Sequence, residues 1–524
     1  MKSKSTQYYF VLALFTCLSL GSCEKFLDSK PKDFLSPENY YDTEEQINFA
    51  LNGVYDVLGQ RAMYGDALIS RMGTEADEGF YALRSFTGPQ IYNFSSSDSY
   101  VTSLWQLLYD GINRANIVIA NINKPKMSDE NRANVLGQAK FLRAYYYFLL
   151  TTNWGDVPLI LQPTSSANNT SVAQTPTKQV YEAIIKDMEE AEPMVQDASI
   201  VGFGGRVNKS TVQGMLARVC LYMAGNPIND KTKYNDVIKW ADKVIQPGFH
   251  RLNPSYQDVF INYASDKYDV KESIWEVEFW GNTAGAYREG GRVGINTGIA
   301  NPSTALGYCY GFIQTTAKLY NSYGSGDLRR DWAIAPFRYQ SNGTIKANWS
   351  PTQIYQRFCG KWRREYEVVS PKSTNDSPEN FPLLRFSDVL LMYAEAKNEI
   401  NHDPTEAYEA INRVRRRAYG FDEFTPNSTS DLSGLNYDSF LIQIQAERSR
   451  ELCFEGLRKY DLIRWGILGK TMKAIATDFT TGAPVDYNYG ANAGNNVVEP
   501  KHLLFPIPVY EMGLNPLLKP NKDW

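Results

Sequence analysis

Three glutamates recur every fourth residue near the end of the chain: Glu447, Glu451 and Glu455 in ERSRELCFEGLRKYDLIRW. On a helix that spacing puts them on one face. Carboxylates so placed can share a proton or hold a metal ion. Arg448, Arg450 and Arg458 are interleaved with them, and no histidine is near. The expectation is therefore an ion-pair lattice that locks the C-terminal helices, since structural networks imitate catalytic ones. Hydrolysis of a glycosidic bond would need two carboxyl groups roughly 5 to 9.5 Å apart in a cleft. The loop carboxylates open to that chemistry are Glu75, Asp77, Glu78 and Glu289. His250, His402 and His502 stand alone, and H-E-x-x-H, G-x-S-x-G, G-x-x-x-x-G-K and EF-hand patterns are absent. The expectation is a protein that is not an enzyme and carries no metal or cofactor.

The six cysteines do other work. Cys220, Cys309, Cys359 and Cys453 are far apart in sequence and make neither a disulfide framework nor a zinc spacing. Cys17 and Cys23 lie at the N-terminus. Lys2 and Lys4 precede an apolar run over 8–20 that ends in Leu20-Gly21-Ser22-Cys23. The run is too short to span a bilayer and has the form of a secretory signal. Its end resembles a bacterial lipobox, where the cysteine sulfur receives a diacylglyceryl group and becomes the mature N-terminus. The expected organisation is a signal peptide over 1–22, then a lipidated tether over 23–40. Acyl chains at about 0.8 kcal/mol per buried CH₂ would then hold the protein on a membrane. The formal net charge of −4 argues against a nucleic-acid partner.

The rest of the chain supplies positioning elements. Apolar residues at helical spacing predict helices over about 44–58, 104–121, 129–153, 178–194, 209–224 and 234–245. Ser128, followed by Asp129 and Glu130, is a helix start. KFLRAYYYF and GMLARVCLY each carry an arginine inside an apolar run, Arg143 and Arg218. A buried arginine needs a partner. The spacing is that of a degenerate tetratricopeptide-like solenoid. In SIWEVEFW, Trp275, Val277 and Phe279 alternate with Glu276 and Glu278, which predicts a half-buried strand. Residues 281–382 are irregular and rich in Gly, Asn, Tyr and Trp; helices then resume, and the end is proline-rich and extended. The expected fold class is mainly α, with tetratricopeptide-like helix pairs packed against an irregular loop-rich region with few short strands. The expected division is an N-terminal helical region over 41–270 and a C-terminal region over 271–524.

Five stretches, in order, carry a family resemblance: FLRAYYYFLLTTNWGDVPLI, RFSDVLLMYAEAKNEI, INRVRRRA, ERSRELCFEGLRKYDLIRWG and FPIPVYEMGLNPLLKPN. Together with the lipobox they resemble the SusD/RagB family of outer-membrane lipoproteins of Bacteroidetes. The resemblance implies four tetratricopeptide-like units and an irregular ligand-binding half. It implies a SusC-like TonB-dependent transporter as partner, an oligosaccharide as ligand, and a lipid-anchored place on the outer membrane facing the cell exterior. A peptide or other nutrient is the alternative ligand; a surface glycoside hydrolase and a pure scaffold are the rival readings.

Glycan-binding members of the family use loop aromatics, whose faces stack on the C–H faces of sugars while guanidinium groups bond hydroxyls. The candidates here are Phe80, Tyr81 and Arg84 in DEGFYALRSF, Trp280, Tyr287 and Arg288 in FWGNTAGAYREGG, and Trp332 in GDLRRDWAI. Trp154, Trp240 and Trp465 lie in or beside helical patterns and are expected in the core. Asp327, Arg329 and Arg330 are expected in turns and ion pairs.

Overall fold

The computed structural model describes residues 40–72, 76–84, 86–164, 171–280 and 290–524. Cys23, Glu75, Tyr287, Arg288 and Glu289 lie outside the described residues. Helix α1 (Glu44–Gly59) starts at Thr43, whose side chain accepts from the Gln46 amide while the Gln46 side chain returns to Thr43. It buries Ile47, Leu51, Val54 and Leu58. Helices α2 (Ser99–Asn121), α3 (Asp129–Trp154) and α5 (Lys209–Ala224) start at Asp98, Ser128 and Asn208, each capping free amides. Helices α4 (Thr177–Ala191) and α6 (Lys233–Ile245) show one apolar face each. Successive helices pack on one another: α1 on α2, α2 on α3, α3 on α4, and α5 on α6.

The two arginines inside apolar runs join these layers. Arg143 of α3 meets Asp187 of α4 in two parallel bonds of 2.8 Å, and bonds Asn116 of α2 at 2.8 Å. Arg218 of α5 reaches Asp388, 2.6 Å away, at the start of α8 (Phe386–Asn401). Burial alone would raise the Asp388 carboxyl, but the Arg448 and Arg218 guanidiniums hold it down at about 2. Helix α8 also packs against α6, α9 (Tyr408–Ala418) and α10 (Tyr437–Leu452), so the C-terminal helices continue the N-terminal stack. One apolar core holds residues from Ile47 to Leu518.

Between α6 and α8 the chain forms helix α7 (Tyr256–Ala264) and all the short strands except the first, which lies between α1 and α2. Strand β1 (Gly79–Tyr81) pairs antiparallel with β3 (Ile313–Thr315), β2 (Ser273–Val277) with β6 (Phe381–Arg385), and β4 (Phe337–Tyr339) with β5 (Lys346–Asn348). Alternation predicts β2 half-buried, yet all five of its residues are buried. Glu276 lies inside because the Ser273 hydroxyl and Asn380 Nδ2 both donate to its carboxyl. Burial, with Glu278 adding like charge, pushes this carboxyl up to about 7 from 4.5. The folded chain holds the proton more tightly than the unfolded one. The group's stability contribution is therefore full below pH 4.5 and is lost as pH rises through about 7. Glu276→Gln keeps a neutral side chain there. It is expected to leave stability unchanged near pH 4 and to raise it by about 3 kcal/mol above pH 8. Urea unfolding at the two pH values checks this; equal effects at both would contradict it.

The lattice expected at Glu447, Glu451 and Glu455 is present and deeper than the sequence suggests. Arg385 bonds Glu272, Glu451 and Glu455 at 2.7–2.9 Å, and Arg417 bonds Glu272 and Glu451. Arg329, fully buried, bonds Asp327, Glu447 and Glu451. The proline-rich end is not simply extended. It carries a short helix, Val509–Leu514, and closes over the end of α3, where Trp154 Nε1 donates to the Pro506 carbonyl at 2.9 Å. Trp154 and Trp240 are in the core, and Trp465 is half-buried with Nε1 on Glu395.

Candidate functional site

The β1–β3 ladder organises the loop-rich half. Its register sets Phe80 opposite Gln314 and Tyr81 opposite Ile313. Neighbouring strand residues point to opposite faces, so Phe80 and Tyr81 enter different aromatic clusters. Phe80 is only 6% exposed, edge-on to Phe479 at 4.8 Å and beside Tyr487 and Tyr489. Tyr81 is 4% exposed and packs on Phe86 and Phe312 at 5.3 and 5.4 Å, while its hydroxyl accepts from Arg71. Both were expected to face a ligand; both instead fill the wall behind the surface.

That surface is built by a different segment, Tyr308–Phe312. Beyond Phe312, Tyr310 stacks on it with centroids 5.1 Å apart and planes 13° apart. Tyr308 stands edge-on to Tyr310 at 5.0 Å and 88°. Tyr310 is 49% exposed, Tyr308 and Phe312 are partly exposed, and Cys309 between them is buried. The strip therefore alternates as an extended segment does, aromatics outward. Its backbone is fixed on two sides: Tyr310 N donates to Ile295 O at 2.8 Å, Phe312 N to Asn296 O at 2.7 Å, and Cys309 exchanges two bonds with Asn301. Gly311 has φ +64°, and a Cβ there would meet the Ala300 Cβ at 2.7 Å, so only glycine lets the strip lie this close. The signal was in the sequence: GYCYGF places aromatics at every second position, two of them between glycines and the third just after.

The remaining candidates separate. Arg84 is exposed, 3.2 Å from the exposed Asp486, with its guanidinium 5.6 Å from the Tyr489 ring. Tyr489 in turn donates to the Ala82 carbonyl, next to Phe312 on the ladder. Arg84 thus lies with the Phe80 cluster, across the ladder from the strip. Trp280 is 47% exposed just beyond β2. Below that strand lies a polar cleft of about 460 Å³ with Tyr55, Arg61, Arg206 and Glu278 in its walls. Trp332 does not face a ligand: it is 5% exposed, with the Arg363 guanidinium 3.8 Å over its ring. It was expected on a loop, but Arg330–Ala333 forms one helical turn that drives the indole inward.

The carboxylates considered for hydrolysis are structural where described. Asp77 takes two bonds from Arg458 and one from Lys318. Glu78 accepts from the Phe454 amide, and burial pushes it up to about 8. Neither opens to a cleft, since both are buried. The stacked strip can offer flat apolar faces with polar rims, the arrangement that suits sugar rings.

Comparison with known proteins agrees with this architecture. Residues 271–524 match the SusD family, and residues 25–221 match a family described as starch-binding associating with outer membrane. A SusD homolog from Bacteroides thetaiotaomicron of known structure is 30% identical, superposes with a TM-score of 0.84, and covers 93% of this chain and 98% of its own. SusD-like protein P25 of Formosa agariphila is 26% identical over 97% of this chain and 96% of its own length. Surface glycan-binding protein A of Bacteroides thetaiotaomicron, solved with laminarihexaose, shares the fold at 23% identity and a TM-score of 0.69, over 91% of this chain and 99% of its own.

Proposed function

The chain belongs to the SusD/RagB family, and from that premise we propose that it captures oligosaccharides on the Tyr308–Phe312 strip. The observation that carries this reading is the exposed, stacked Tyr310, held by backbone bonds in a shape that needs no rearrangement to receive a ring. Preorganisation of this kind reduces the ordering cost of binding. A sugar's C–H face covers the tyrosine face, and the phenol hydroxyls serve its hydroxyls. Trp280, with Tyr287 and Arg288 beyond it in sequence, forms a second contact region in this proposal. The action is capture without a covalent step.

The wider reading follows the family. Lipid on Cys23 holds the protein at the outer membrane, facing the exterior, and a SusC-like TonB-dependent transporter takes the captured glycan. Among the described residues, no helix is long and apolar enough to cross a membrane.

The test is a binding screen of the mature chain against soluble polysaccharides and their oligosaccharides, with product release followed in the same samples. We expect retention by at least one glycan and no shortening of it. New reducing ends would favour the hydrolase, and silence with every glycan but not with peptides would favour peptide capture.

A further inference from the structure

Arg71 is the one feature of this surface that neutral stacking does not use. Its guanidinium carbon sits 4.7 Å from the Phe86 centroid, 4.9 Å from Tyr81, 5.0 Å from Phe312 and 5.7 Å from Tyr100. Four rings thus surround one cation, and Phe312 is the ring on which Tyr310 stacks.

The other enclosed guanidiniums among the described residues meet a carboxylate or, at Arg357 and Arg363, two or more backbone carbonyls. Arg143, Arg218, Arg329, Arg385, Arg417 and Arg448 all reach carboxylates. Arg363, which has no carboxylate, spends its donors on the carbonyls of Gly360, Asp331 and Trp332. Arg71 donates to the Tyr81 hydroxyl and lies beside the Tyr100 hydroxyl, and no carboxylate among the described residues comes within 4 Å of it. The nearest, Asp66, is engaged with Asn296 at 2.5 Å, Ser70 at 2.7 Å and Arg292 at 3.7 Å. Arg71 is half-buried, not sealed. A partly desolvated cation with unused donors gains more from an anion than from a hydroxyl. Guanidinium held by ring faces is also oriented for a planar or trigonal anionic group. On the far side of the ladder Arg84 is tied only to an exposed aspartate, a pairing worth little.

We infer that the surface selects anionic glycans, with Arg71 as the specificity-determining residue that receives a sugar carboxylate or sulfate at the Phe312 end of the strip. This rests on the glycan-capture reading and narrows it. Arg71 binds the anion and Tyr310 carries the ring.

The test titrates the mature protein with tetragalacturonate, a sulfated chondroitin tetrasaccharide and laminarihexaose, each at low and high salt, alongside Arg71→Gln, Arg71→Lys and Tyr310→Ala. The expected result is that one anionic ligand binds at least about tenfold more tightly than the neutral one. High salt weakens that arm alone. Arg71→Gln removes the preference while keeping any neutral binding, and Arg71→Lys retains part of it. Binding of tetragalacturonate identifies a carboxylate; binding of the chondroitin tetrasaccharide, which carries uronate carboxylates as well as sulfates, without binding of tetragalacturonate identifies a sulfate. If Arg71→Gln does not fold, the neutral-to-anionic ratio and salt response of the parent still decide. Neutral binding equal to or stronger than both anionic arms, lost in Tyr310→Ala, overturns the selectivity and leaves glycan capture standing. An equal loss of neutral and anionic binding in a folded Arg71→Gln also overturns it. Absence of binding in all three arms counts against selectivity and capture together.

Discussion

Glu451→Gln is expected to destabilise the fold by about 3 to 5 kcal/mol, the cost of stranding a buried partner. Glu451 is fully buried and answers three guanidiniums: Arg417 at 2.6 Å, Arg385 at 2.9 Å and Arg329 at 3.0 Å. Burial by itself would raise its carboxyl, and those three cations overcome that and hold it well below the usual carboxylate range. A neutral amide cannot balance them, and each remains enclosed. The loss appears as a lower denaturant midpoint with an unchanged slope. An exposed pair, Lys239 with Glu189 at 3.8 Å, is the control, where Glu189→Gln costs under about 0.5 kcal/mol. A loss from Glu451→Gln as small as the control would contradict the lattice as a stabilising element. The pH sense is opposite to that at Glu276. Stability from the depressed Glu447 and Glu451 carboxyls is present above pH 4.5 and is lost as pH falls toward their folded values.

Tyr310→Ala is expected to abolish most glycan affinity while leaving the fold intact. Truncating a central aromatic contact costs about 2 kcal/mol, roughly 30-fold in Kd. Half of Tyr310 is already exposed, so its removal leaves no closed cavity. Phe80→Ala predicts the reverse. That ring is buried among Phe479, Tyr487 and Tyr489. Its loss costs about 3 to 5 kcal/mol of stability, with affinity preserved in the molecules that remain folded. Titration calorimetry and thermal melting of both variants separate the two roles. Weakened binding in Phe80→Ala with Tyr310→Ala unaffected would move the site to the other face of the β1–β3 ladder.

These contrasts show which parts of the molecule were legible in its sequence. The long helices were, because each needs only its own apolar spacing and cap; Ser128 opens α3 as expected. Arg143 and Arg218 announced buried partners, but Asp187 and Asp388 come from other helices, and periodicity does not name them. The β2 strand was seen and its burial misjudged. Alternating glutamates imply a wet face, whereas the Ser273 hydroxyl and Asn380 amide allow Glu276 inside. The site was least legible. Phe80, Tyr81 and Trp332 are aromatics in loop sequence, yet a ladder register and one helical turn bury them. Their neighbours come from distant segments: Phe479 and Tyr489 against Phe80, Phe312 against Tyr81, Arg363 over Trp332. The alternating aromatics of GYCYGF were the local signal that survived folding.

A crystal structure of the mature protein with the tightest oligosaccharide from the binding screen is the decisive measurement for capture on the strip. A sugar ring is expected parallel to the Tyr310 face, within contact of Tyr308 or Phe312, with the strip unmoved. A ligand seated instead in the cleft of about 510 Å³ between Tyr181, Tyr222 and Lys501, or in the groove of about 650 Å³ between Trp105 and Leu514, with Tyr310 bare, would contradict it.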